Sequence, residues 1–217
     1  MKGLLLDNLY KSIRSMKLLG ILVLIAGIAL LISGNGTFME IFVYISITAL
    51  SATAVSSMRK DIDVSWNKYE LTLPVTRNMI INSRYICYLL WVVVGVVIAA
   101  LFTILSVVAH GNVFFAYGFR DVISLFSLGV GIAVTVGTLY YPFAYLFGAD
   151  RSEALLLISA IGSVGLVVVL VWIVNNVFGT DTGHYYLRLT VFVSAYILLY
   201  IVSYLATRKI FNGKEVY

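Results

Sequence analysis

The fold class predicted by the sequence is all-α and integral to a membrane, and two observations predict it. Of 217 residues, 61% are hydrophobic and only 12% are charged, with a mean hydropathy of +1.01, whereas a soluble domain carries about 25% charged residues. The charges also leave six stretches free of Asp, Glu, Lys and Arg: 18–39, 41–58, 85–119, 122–149, 154–180 and 189–207. The shortest has 18 residues, which as a helix is about 27 Å and close to the roughly 30 Å of a hydrocarbon layer. Six such stretches exclude a soluble nucleotide-binding domain, a nucleic-acid reader and a disulfide-stapled secreted fold. The single cysteine, Cys87, permits no internal bridge and reads as a helix-packing residue.

The chain reads as one transmembrane domain over 1–217, and its elements follow in order. In 1–17, Leu5, Leu9, Ile13 and Met16 share one face while Lys11, Ser12, Arg14 and Ser15 lie elsewhere. That pattern predicts an amphipathic interfacial helix along the inner leaflet, its cations near anionic headgroups. Helices 1 and 2 occupy 18–58 and are joined by Ser33-Gly-Asn-Gly-Thr, whose Gly and Asn residues supply turn conformations. The first apolar run, 22 residues, exceeds the roughly 7 to 15 of a signal-peptide core, so helix 1 is expected to stay in the mature protein.

Segment 59–84 is the largest inner connection. Ile62, Trp66, Tyr69 and Leu73 recur in it at steps of four, three and four, which predicts a short amphipathic helix with an aromatic face, broken at Pro74. Thr76 then offers an N-cap hydroxyl to a new helix. Helices 3 and 4 follow in 85–149, separated by an aromatic stretch with Phe114, Phe115, Tyr117 and Phe119 suited to an interface. The second inner loop is small, Gly148-Ala-Asp-Arg-Ser-Glu, with Asp150, Arg151 and Glu153 as its charges. Segment 150–207 holds helices 5 and 6, and 208–217 is a tail.

Orientation comes from the cations. With the N-terminus inside, thirteen of the fifteen Lys and Arg fall in inner segments, and only Arg120 and Arg188 fall outside. Lys and Arg concentrate in short cytoplasmic loops, so both termini are expected in the cytoplasm, with the positive charge reporting topology rather than nucleic-acid binding.

Little in the sequence can do chemistry. No titratable residue is expected deep in a helix, which disfavours a proton-driven carrier. The residue sets that acid–base or nucleophilic catalysis needs are absent, so no catalytic residue is assigned. His110 and His184 sit in different outer loops and read as isolated interfacial residues rather than metal ligands. Asp61-Ile-Asp-Val-Ser resembles the start of a calcium loop, but Trp66 replaces the glycine and Thr72 the glutamate. Gly213-Lys214 lacks both the upstream glycine and the Ser/Thr of a phosphate-binding loop. Whatever energy the protein uses must therefore enter from its cytoplasmic side.

Small residues and tyrosines suggest contacts. Gly20, Gly27 and Gly34 recur at heptad spacing, and Ala49, Thr53 and Ser57 at four-residue spacing, as at close helix pairs. They fit contacts within one subunit or between two. Tyr196, Tyr200 and Tyr204 make a phenol stripe on helix 6, which either packs against neighbours or lines a substrate path.

Two passages carry a family resemblance. The run Lys68-Tyr-Glu-Leu-Thr-Leu-Pro-Val-Thr-Arg77, with Ser83-Arg-Tyr85, resembles the inner loop of small bacterial ABC-2 type permeases, including those exporting phenol-soluble modulins. Tyr141-Pro-Phe, Tyr145-Leu-Phe-Gly148 and Glu153-Ala154 are similar to that family's pattern between helices 4 and 5, although Arg151-Ser152-Glu153-Ala154 departs from the usual lysine before the alanine. The resemblance implies a homodimeric exporter subunit in a bacterial plasma membrane that binds two copies of a cytoplasmic ATPase. ATP and magnesium would sit in that partner and no cofactor in this chain. It also implies that 59–84 is a coupling helix, with Ile62, Asp63, Trp66, Tyr69, Glu70, Leu73, Pro74, Thr76 and Arg77 at the ATPase contact and Gly148, Asp150, Arg151 and Glu153 beside it. The cargo expected is an amphipathic or hydrophobic molecule, a peptide or something lipid-like, met among membrane lipids. Two other classes fit the sequence. One is a sensor or immunity protein that binds antimicrobial peptides without transport, and the other is an ion-driven carrier.

Overall fold

The computed structural model describes residues 2–63, 76–111, 114–115, 118–148, 151–179 and 182–213, and the side chains of all of these except 2, 14–15, 56–63 and 182. Six α-helices account for nearly all of them: α1 (Lys2–Ser33), α2 (Gly36–Asp63), α3 (Arg77–His110), α4 (Phe119–Phe147), α5 (Ser152–Phe178) and α6 (Tyr185–Gly213), with a 3-10 turn at Thr182–His184. All six are long and apolar enough to cross a membrane. Among the described residues there is no strand, and the all-α membrane class holds.

The expected segment 1–17 is helical but is not a separate element. No proline interrupts the first 33 residues, so the hydrogen-bond ladder of α1 continues unbroken into the span. Leu4, Asn8 and Ser12 are buried, Leu5, Leu9 and Met16 are half-buried against the core, and Ile13 is exposed. The Asn8 amide donates to Ser83 Oγ of α3 at 3.1 Å, and Ser12 Oγ lies 3.9 Å from Cys87 Sγ. The face that the apolar spacing assigned to lipid therefore lies partly on protein, because short polar side chains beside it find partners on α3.

The turn after α1 is as tight as its residues suggest. Gly34 takes φ +58°, a conformation open to residues without a Cβ, and its N–H returns to the Leu30 carbonyl at 3.3 Å. Asn35 Oδ1 then accepts from the Thr37 N–H at 3.0 Å and caps α2.

The core centres on α2, which packs against α1, α3 and α4. Val43, Ile47 and Leu50 are fully buried on it. Ser51 and Thr53 share that core because their hydroxyls donate to the carbonyls of Thr48 and Leu50 in their own helix. The α2–α3 approach is close: a Cβ on Gly95 would lie 2.9 Å from the Ile47 Cα. Of the helix-1 glycines, Gly27 meets the Phe102 ring of α3 within this chain, whereas Gly20 meets only Met16 of its own helix. A second layer forms where α4 packs against α5 and α6, with α3 also touching both α4 and α6.

Contacts between helix ends fix the alternation of direction. Asn8, Arg77, Tyr145 and Phe211, from α1, α3, α4 and α6, gather at one end of the bundle, here called the basic end. Gly34, His110, Arg120 and Tyr185 meet their neighbours at the opposite end.

Candidate functional site

The basic end holds the densest polar contacts, and Pro142 shows why they are needed. This proline lies inside α4, where it can give no N–H to the carbonyl four residues earlier, that of Thr138. In a membrane such a carbonyl needs another donor. The Ser203 hydroxyl of α6 supplies it at 2.7 Å.

A chain of hydroxyls grows from that bond. Ser203 Oγ lies 3.0 Å from the Tyr85 hydroxyl of α3, which lies 2.8 Å from Thr207 Oγ1. Since the Ser203 proton goes to Thr138, Tyr85 donates to Ser203 and accepts from Thr207. Three helices are thereby joined by one directed line.

Aromatic rings pack around this line. The Tyr85 ring stacks on Tyr141 of α4, with centroids 4.6 Å apart, and takes Tyr200 and Tyr204 of α6 on its edges at 5.2 and 5.5 Å. These are the separations at which ring quadrupoles attract. Tyr141 and Tyr200 donate to the carbonyls of Arg84 and Tyr85 at 3.3 and 2.9 Å, and Tyr204 donates to Asn82 Oδ1 at 2.6 Å.

Two arginines extend the seam outward. Arg84 is 5% exposed and donates through Nη1 to the Tyr145 hydroxyl at 3.1 Å. The sequence reading counted it with the inner connection 59–84, on the helix expected to start after Thr76. It lies two turns inside α3, whose start at Arg77 follows the N-cap position expected at Thr76; the uncharged stretch marks where lipid begins, not where the helix does. Arg77 donates through Nη1 to the carbonyls of Phe211 and Asn212 at 3.1 and 3.3 Å, and its guanidinium stands 5.7 Å from the Phe211 ring centre. Those are free carbonyls of the last turn of α6, where a cation also meets the negative end of the helix dipole.

Of the predicted coupling residues, Ile62 and Asp63 close α2, with their side chains outside the described residues. Trp66, Tyr69, Glu70, Leu73 and Pro74 lie outside the described residues altogether. Thr76 occupies the N-cap position of α3, but its hydroxyl makes no capping bond; its carbonyl accepts from the Met79 N–H at 2.9 Å instead. The extended backbone of Thr76, φ −81° and ψ 149°, suits that position, while its side chain is exposed to competing water. In the second loop Gly148 ends α4 with φ +87° and its N–H on the Ala144 carbonyl. Arg151 is exposed at the N-cap position of α5, Glu153 sits in the first turn of α5 where the dipole favours an acid, and Asp150 lies outside the described residues.

The phenol stripe divides. Tyr196 packs directly over Gly131 of α4, and with Tyr200 it lines a cavity of about 560 Å³ between α4, α6 and Leu89 of α3. Tyr204 faces Asn82. Sequence reasoning missed the Tyr85–Ser203–Thr207 line. Its one legible trace was Pro142, a proline inside a long apolar stretch whose lost bond requires a donor from another helix.

Among the described residues no group of three His, Cys, Asp or Glu side chains could hold a metal ion. The model of the family described as "ABC-2 family transporter protein" matches residues 3–212. No curated protein and no solved structure matches the chain.

Proposed function

The chain belongs to the ABC-2 family of transporter proteins, and from that premise we propose that it is the membrane half of a bacterial exporter, worked by a separate ATPase at the basic end. In this reading the basic end and both termini face the cytoplasm, two copies of the chain pair, and each takes one ATPase. Segment 64–75 carries the docking face, with Trp66, Tyr69 and Leu73 as anchors in a groove of the ATPase, because buried aromatics dominate such contacts. The ATP and magnesium belong to that partner. The cargo is amphipathic or hydrophobic and meets Tyr196 and Tyr200 on its way.

One observation carries the reading: Arg77, the first residue of α3 after that segment, holds the last carbonyls of α6. Two turns further on, Arg84 and Tyr85 hold α4 and α6. A displacement that reaches Arg77 is thus passed by α3 to α4 and α6 through side-chain contacts.

The test is co-purification of a Trp66→Ala, Tyr69→Ala double variant with the ATPase encoded beside it. The expected result is loss of the complex, with the permease itself still folded in detergent. Undiminished assembly and undiminished coupled ATP hydrolysis would refute the docking role. Cargo protection that persists after deletion of the ATPase would favour a peptide-binding sensor instead.

A further inference from the structure

Helices α4 and α6 run parallel and keep one register along their whole contact. Arg120 meets Tyr185, Gly131 meets Tyr196 and Thr138 meets Ser203, each pair 65 positions apart. On α6 the residues that face α3 and α4 recur every fourth position: Tyr196, Tyr200 and Tyr204 form one row, and Ser203 and Thr207 another. Four residues of helix rise about 6 Å, close to one turn. A helix whose contact residues repeat at that step offers its neighbours the same chemistry in two positions.

Moving α6 one turn toward the opposite end exchanges each donor for the one four places on. Thr207 takes the place of Ser203, donating to the Thr138 carbonyl that Pro142 leaves open and accepting from the Tyr85 hydroxyl. Tyr204 takes the place of Tyr200 at the Tyr85 carbonyl, and Tyr200 takes the seat of Tyr196 over Gly131. Arg208 reaches the Asn82 Oδ1 that Tyr204 holds in the present register, and its guanidinium replaces the Tyr204 ring beside Tyr85. The displaced Ser203 hydroxyl turns to a carbonyl of its own helix. Each of these acceptors therefore keeps a donor. The cavity of about 560 Å³ beside Tyr196 and Tyr200 leaves the outer half of α6 without the interdigitation that locks one helix on another.

The two ends of α6, by contrast, fit one register. At the basic end Arg77 donates to the Phe211 and Asn212 carbonyls, which are free because they belong to the last turn, and the Phe211 ring meets Tyr145 at 5.0 Å. At the opposite end the Tyr185 hydroxyl donates to the Arg120 carbonyl at 2.8 Å, and its ring centre lies 5.7 Å from the Arg120 guanidinium. Neither ring has a counterpart four residues on, where Leu189 and Glu215 stand. The link from Gly179 to Tyr185 extends to about 20 Å, long enough to yield one turn.

We propose that α6 has two registers on α3 and α4, one turn apart, and that Arg77 and Tyr185 latch the one described above. Packed surfaces of this kind are bistable and do not deform continuously. The proposal rests on the preceding reading only for what releases Arg77. Its test needs no ATPase, so the failure of one and the failure of the other are read separately.

The test places pairs of spin labels on the full chain in a Cys87→Ser background and reads distances by double electron–electron resonance, with excess unlabelled chain so that only pairs within one copy count. Phe119→Cys with Leu205→Cys, and Phe147→Cys with Leu198→Cys, all lie at exposed positions of α4 and α6. In the present register the two pairs are offset along the axis by about 30 Å and about 20 Å. In an Arg77→Ala, Tyr185→Phe variant a second population is expected, in which the first distance shortens and the second lengthens, each by about 5 Å. Ser203→Ala in that background should raise the ratio of the second population to the first about tenfold, since only the first register uses Ser203 at the Thr138 carbonyl. Thr207→Val should lower the ratio by a similar factor, since that carbonyl has no other donor in the second. One unchanged distance in the latch variant and in its Ser203→Ala derivative would overturn the proposal. So would two distances that lengthen together, the mark of α6 tilting away, or a ratio that Ser203→Ala and Thr207→Val move in the same direction, the mark of general loosening.

Discussion

Replacing Ser203 by alanine removes the donor that Pro142 makes necessary, and the size of the effect should depend on whether the proline is present. Two contacts are lost: the 2.7 Å bond to the Thr138 carbonyl and the 3.0 Å bond from Tyr85. Hydrogen bonds between membrane helices average about 0.6 kcal/mol and reach about 1.7 kcal/mol, with the high end expected where a backbone carbonyl is left alone in lipid. Ser203→Ala should therefore cost about 1.5 to 2.5 kcal/mol. Pro142→Ala gives residue 142 an N–H that can serve the Thr138 carbonyl. In that background Ser203→Ala should lose only the Tyr85 bond, about 0.6 kcal/mol, leaving a coupling of about 1 to 2 kcal/mol between two residues of different helices. Equilibrium unfolding in mixed dodecyl maltoside and SDS micelles, followed by circular dichroism, reads all four members of the cycle. It compares differences, so the effect of Pro142→Ala alone does not bias it. Equal costs of Ser203→Ala in both backgrounds, to within about 0.3 kcal/mol, would refute the link between proline and hydroxyl.

Three further outcomes follow from the same geometry. Arg77→Ala should leave ATPase co-purification intact but lower coupled ATP hydrolysis about fivefold, matching the loss of about 1 kcal/mol from a half-exposed charged donor. Arg77→Lys should fall between this variant and the parent, and unchanged coupling in Arg77→Ala would count against transmission through α6. Gly95→Ala should destabilise the bundle by about 1 to 3 kcal/mol, and Gly95→Val by more. Ile47→Ala should not rescue either, because a Cβ there meets the Ile47 backbone. In a Cys87→Ser background, Arg151→Cys and Lys209→Cys should react with an impermeant maleimide only in inside-out vesicles, and Phe119→Cys only in right-side-out ones; the reverse pattern would invert the proposed orientation.

The number and extent of the spans were legible because charge is excluded from lipid, and the 25 charged residues were enough to mark their borders. The start of α3 was legible from the N-cap residue Thr76 and not from charge. A helix 34 residues long rises about 51 Å, well past a hydrocarbon layer of about 30 Å, and hydropathy is silent about the turns that project from it. The partnership of Tyr85 with Ser203 and Thr207 was not legible at all. It depends on how each helix is turned about its own axis, and the hydroxyls of α6, from Thr190 and Ser194 to Ser203 and Thr207, do not by themselves say which neighbour each one faces. Pro142 is the exception, since a missing N–H creates a need that one side chain in reach must meet. The tyrosine stripe on α6 was visible as a period, but whether a phenol there packs or lines a path depended on the neighbouring helix: Gly131 seats Tyr196, and Asn82 captures Tyr204.

The two seams of α3 permit different kinds of movement. Toward α2 the contact is closest at Gly95, where a Cβ would meet the Ile47 backbone, and it is braced by the Phe42–Phe102 rings and the Tyr88–Ser51 bond, which favours those helices moving together, as one strut. Toward α4 and α6 the contact is a row of hydroxyls and ring edges, whose partners can be exchanged at small cost as surfaces slip past one another. A push passed to α2 and α3 would then move a stiff pair along a lubricated plane.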